Sequence, residues 1–161
     1  VKVNFLGNFL QVIELLIIKA TALKQTRMGT IFTFASAVLA FLFGILYLTM
    51  RKFMNYHRVA VQKDWEELAP EIRTLITALM RASSGGFLSV SLGLAVLQIR
   101  FSHGHEHSIA LTILAAGSIL ALGSLYAMLL VRTRTKGRPP IVPVAVIFIL
   151  LIAGYFFNIL G

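Results

Sequence analysis

Residues 28–50 read MGTIFTFASAVLAFLFGILYLTM, a run without one acidic or basic side chain. A helix rises about 1.5 Å per residue, so about 20 apolar residues cross a hydrocarbon core of about 30 Å. This run is long enough, and residues 82–99, 108–131 and 141–161 form three more uncharged stretches of similar length. The expected fold is therefore all-α: a polytopic membrane protein with a four-transmembrane-helix bundle over residues 28–161. Its spans fall at about 28–50, 74–99, 108–131 and 141–160, after an N-terminal amphipathic or interfacial segment at 1–27.

Composition points to the same solvent. Of 161 residues, 58% are hydrophobic and 13% charged, whereas about a quarter of a soluble domain is charged. The net charge of +9 does not imply nucleic acid, because Lys and Arg cluster beside the apolar runs. They read as topology signals and as contacts to anionic lipid headgroups. With no cysteine, disulfides, thiolate nucleophiles and cysteine metal sites are excluded.

Orientation follows from those cations. The first connection carries Arg51, Lys52, Arg58, Lys63 and Arg73, with Arg81 just beyond; the third carries Arg132, Arg134, Lys136 and Arg138; the second has only Arg100. By the positive-inside rule, loops 51–73 and 132–140 are cytoplasmic, loop 100–107 is outside, and both ends of the bundle lie outside. Lys2, Lys19, Lys24 and Arg27 oppose this but are outnumbered. In the leader, Leu6, Phe9, Leu10, Ile13, Leu16, Ile17 and Ala20 recur at helical spacing around Asn8, Gln11 and Glu14, the pattern of a helix lying in the interface. Met28 offers an alternative start, which would leave residues 1–27 outside the native product.

In the first connection, Asp64 is placed to cap a short helix with Glu67 reaching back, and Trp65 and Tyr56 suit an interfacial belt. Pro70 and Glu71 fit the first turn of the second long helix. Arg81 is expected at the cytoplasmic boundary, extending its head outward. Small residues recur four apart at Ser36, Ala40 and Gly44, at Gly85, Ser89 and Gly93, and at Gly117 and Ala121, stripes that let helices approach closely or subunits meet. Ser83-Ser84-Gly85-Gly86 lacks the lysine and spacing of a phosphate-binding loop. Arg132 to Pro140 makes a basic turn in which Gly137 and the prolines stop one helix and start the next.

The segment with potential metal chemistry is Ser102-His103-Gly104-His105-Glu106-His107. His103, His105 and His107 could supply nitrogen ligands to zinc, copper or nickel. Histidines at alternate positions must turn to converge, and the same segment also reads as a polar linker or a pH-responsive loop.

The segment 55–97, NYHRVAVQKDWEELAPEIRTLITALMRASSGGFLSVSLGLAVL, resembles the corresponding part of small four-span bacterial inner-membrane proteins, with the likeness running from about Met28 onward. The resemblance implies four helices in a bacterial inner membrane and carries no activity with it. Glutathione-handling membrane enzymes would show a Glu and Arg-Asn pattern on their second helix, which Glu71, Arg73 and Arg81 do not reproduce. Small multidrug exporters use a glutamate in their first span, whereas Glu14 lies in the leader.

Three function classes follow. Chemically quiet, small-residue-striped spans favour a structural or accessory membrane component, with a membrane-protein partner or a homo-oligomer. Transport or metal handling would use the outward histidines. A membrane enzyme would have only Arg81 for anion binding and His57 for proton transfer.

Overall fold

The computed structural model describes residues 5–104 and 106–160, with side chains from Arg27 onward. All regular structure among the described residues is helical. Helix α1 is Phe5–Thr49, α2 is Asn55–Val61, a 3-10 turn follows at Trp65–Glu67, and α3 is Pro70–Gly104, α4 His107–Arg134 and α5 Ile141–Leu160. Four helical segments are long and apolar enough to cross a membrane: Arg27–Thr49 within α1, then α3, α4 and α5. The all-α four-helix membrane bundle is thus the observed architecture.

Helix α1 packs on α3 and α5, and α4 packs on the same two neighbours. The bundle is therefore a square with α1 and α4 on opposite corners. Small residues set the close approaches. Ser36, Ala40 and Gly44 of α1 and Gly117 and Ala121 of α4 are all buried, as the helical spacing predicts. Ser84 Oγ donates to the Gly44 carbonyl at 2.8 Å, and Ser36 Oγ donates to the Ile147 carbonyl at 3.2 Å. A Cβ on Gly117 would meet Leu151 Cδ2 at 2.5 Å, so a larger residue there would force the Leu151 side chain of α5 to shift.

The stripe on α3 departs from the sequence reading. Gly85, Ser89 and Gly93 are exposed, and a Cβ at Gly85 or Gly93 would meet nothing within 4 Å. The face turned inward instead carries Met80, Ser84, Phe87, Ser91, Leu94, Gln98 and Phe101. Ser84, Ser91 and Gln98 recur every seven residues, close to two helical turns. A period of four residues at small positions could not reveal this, because both registers place small side chains on a stripe.

The outer surface is apolar. Ile119 is 76% and Val142 72% exposed, which suits lipid contact and not water. The 35 residues of α3 span about 52 Å, more than a hydrocarbon core of about 30 Å, so the helix projects beyond it. Two boundaries differ from expectation. Helix α1 runs unbroken from Phe5 into the first span, with no turn at Met28. The segment 100–107, expected as a loop, is helical through Gly104 and again from His107. Within the last turn of α3, Ser102 Oγ donates to the Gln98 carbonyl at 2.9 Å and His103 Nδ1 lies 2.7 Å from the Ile99 carbonyl.

Candidate functional site

Two polar assemblies occupy opposite ends of the bundle. At the end where α3 meets α4, Asn158 Nδ2 donates to Gln98 Oε1 at 3.1 Å, and Gln98 Nε2 donates to Thr30 Oγ1 at 3.2 Å. Gln98 is wholly buried and Asn158 nearly so. Asn158 Oδ1 accepts no hydrogen bond; it rests against Gly29, where any larger residue's Cβ would stand. Helix α5 also crosses α1 closely at Gly154, where a Cβ would lie 2.5 Å from Thr33 Oγ1. Sequence reasoning passed over this network. Its signal was present, since Gln98 and Asn158 are the only side-chain amides inside the four uncharged runs, and an amide in hydrocarbon needs a partner.

His103 and His107 lie at this same end. His103 sits in the last turn of α3, and the His107 ring lies 6.4 Å from the Tyr155 ring. His105 lies outside the described residues. Among the described residues, no group of three His, Asp or Glu side chains comes together to hold a metal ion.

At the other end, α2 folds over the bundle and roofs a groove of about 400 Å³. Its position has local causes. The His57 Nδ1 accepts the Met54 N–H at 3.2 Å, capping α2, and Gln62 closes it in a left-handed conformation with its N–H on the Arg58 carbonyl at 2.8 Å. The expected cap at Asp64 is present, with its N–H donating to Glu67 Oε2 at 3.1 Å. Lys52 pairs with Glu66, and Arg58 Nη1 lies 3.5 Å from Asp64 Oδ1. The Lys52 hydrogen bond holds the Glu66 carboxyl below its ordinary range. Phe53 meets the Trp65 ring edge-on at 5.1 Å. These contacts tie α2 and the 3-10 turn into one cap.

The cap is joined to the groove by the Tyr47 and Tyr56 hydroxyls, 2.7 Å apart. Burial, with the Tyr47 hydroxyl beside it, raises the Tyr56 phenol above its ordinary value. Burial lowers the His57 imidazole. Its Nδ1 is an acceptor, so the proton of the neutral ring is on Nε2. The remaining walls are largely apolar, with Leu79, Met80 and Phe87 from α3 and Met128 and Val131 from α4. His57 lines this groove and Arg81 does not; Arg81 is exposed on α3. The two groups expected to serve an enzyme are therefore not both in the groove. Hydroxyls, an imidazole and apolar side chains thus line the groove together.

The described geometry defines an all-α bundle of four helices long and apolar enough to cross a membrane, with α2 and the 3-10 turn as a cap at one end. No protein-family model, curated protein or solved structure matches the chain.

Proposed function

We propose that this chain is a structural or accessory component of a bacterial inner membrane that works with a membrane-protein partner or with further copies of itself. One observation carries the reading: among the described residues, the side chains buried in the bundle are apolar or neutral, and Ser36, Ser84, Gln98 and Asn158 all bond from one helix to another. A conduit for ions or protons uses intramembrane ionisable groups or broken helices. Here the polar groups act as connectors between helices that run without interruption through their spans. The distribution of Lys and Arg supports loops 51–73 and 132–140 on the cytoplasmic side and 100–107 outside.

The test is isolation at native abundance in membrane discs cut directly from the cell, with stoichiometry measured by mass spectrometry. The accessory reading expects a fixed ratio of this chain to a larger membrane protein, or to itself. A solitary chain that conducts ions or turns over a substrate in liposomes overturns it.

A further inference from the structure

Gly137, in the turn between α4 and α5, lies directly beneath α2. A Cβ there would stand 2.8 Å from the Tyr56 carbonyl and 2.9 Å from Ala60 Cβ. Glycine at this position brings the basic turn up to the roof of the groove. Pro139 then forms a wall of both spaces: the apolar groove and an open basic recess bounded by Arg132, Lys136 and Arg138. An apolar slot and a cationic recess thus share one edge.

We propose that this composite site holds one anionic phospholipid, with an acyl chain in the groove and its phosphate against the basic turn. The occupant follows from chemistry at each end. The groove, at about 400 Å³, falls within the range of about 300–1,000 Å³ typical of ligand sites, and its lining is mostly apolar, with Leu79, Phe87 and Met128 among its walls. Arg132, Lys136 and Arg138 are exposed. The ion pairs among the described residues are Lys52–Glu66 and Arg58–Asp64, so no carboxylate neutralises the turn. A phosphate supplies the missing charge. The groove is also lined by Tyr47, Tyr56 and His57, amphipathic rings suited to the ester level of a lipid. A soluble anion would leave the apolar slot unfilled, and a neutral lipid would leave the cations unmatched.

This assignment is independent of the accessory role, since a lipid can occupy the site whatever the chain assembles with. The test uses the full chain in mild detergent, exchanged against phosphatidylglycerol or phosphatidylcholine of identical chains and read by native mass spectrometry. The expected result is one retained phosphatidylglycerol per chain, with a preference of at least about tenfold over phosphatidylcholine, because the cations of the turn attract an anionic headgroup. R132Q/K136Q/R138Q removes the preference, and R132K/R138K, which retains the charge, preserves it. A127L narrows the groove from an exposed wall position and weakens retention of both lipids. Equal retention of the two lipids by the wild type overturns the proposal. So does a preference that survives charge removal or is lost in R132K/R138K, retention unchanged in A127L, or displacement of the lipid by inorganic phosphate alone.

Discussion

Gln98 and Asn158 share a hydrogen bond of 3.1 Å between α3 and α5, and Gln98 passes the connection on to Thr30 of α1. Three of the four spanning helices are thereby fixed at one end by two neutral amides and a hydroxyl. Replacing either amide by leucine leaves its partner unpaired inside the bundle. Each of Q98L and N158L is expected to destabilise by about 1–2 kcal/mol, and the double variant by less than the sum, with a coupling of about 0.6 kcal/mol. Reversible unfolding in mixed micelles measures both quantities; strict additivity would mean that the pair does not act as a unit.

Glycines on the two sides of the bundle are expected to respond oppositely to alanine. At Gly154 a Cβ meets Thr33 Oγ1 at 2.5 Å and its backbone nitrogen at 3.1 Å, so G154A should cost about 1–3 kcal/mol through separation of α1 and α5. At Gly93 there is open space, and G93A should be neutral or stabilising by up to about 1 kcal/mol from helix propensity. The same micelle assay ranks them. Destabilisation by G93A equal to that by G154A would show that the outer face of α3 is packed against another chain.

The cap over the groove is expected to loosen in acid. Burial lowers the His57 pKa from its ordinary 6.5, so the folded state holds fewer protons than the unfolded state as pH falls past that value. The stabilisation is complete above pH 6.5 and declines as pH drops toward the lowered folded value. Protonation also removes the Nδ1 acceptor that caps α2. Limited proteolysis at 51–69 should accelerate over that window in the wild type, and H57Q should lose most of the acceleration. A wild-type rate that stays flat through the window would assign the cap's stability to other contacts.

Substitution at Gly137 tests the docking of α2 on the basic turn. G137A places a methyl group against the Tyr56 carbonyl and should displace α2, separating the two tyrosine hydroxyls. Y56F, which removes the 2.7 Å bond to Tyr47 but no bulk, should cost about 0.5–1.5 kcal/mol. Proteolytic exposure of α2 is expected to rise more in G137A than in Y56F; the reverse order would place the hydroxyl pair, and not the turn, as the main anchor.

Sidedness is measurable because the chain contains no cysteine. Single cysteines at Lys63 and Lys136 should react with an impermeant maleimide only after the cytoplasmic face is opened, and one at Glu106 should react in intact cells. Inverted labelling would overturn the orientation drawn from the cations and shift the phospholipid site to the outer leaflet.

Much of the architecture was legible in the linear chain. Hydrocarbon demands long uncharged helices, and residues 28–50, 108–131 and 141–160 coincide with helical segments long and apolar enough to cross a membrane, bounded by charges that cannot follow them inward. The Asp64 cap, Pro70 and the Gly137 turn were likewise readable, since each depends on local backbone geometry. Helix rotation was not. Both faces of α3 carry small residues, and only its neighbours decided that Ser84, Ser91 and Gln98 turn inward while Gly85, Ser89 and Gly93 face out. The groove was equally invisible, because Tyr47, His57, Phe87 and Met128 come from four different helices. Solvent and local chemistry determined how often and where the chain crosses; which residues meet was decided by packing, a property of pairs of helices that no single stretch contains.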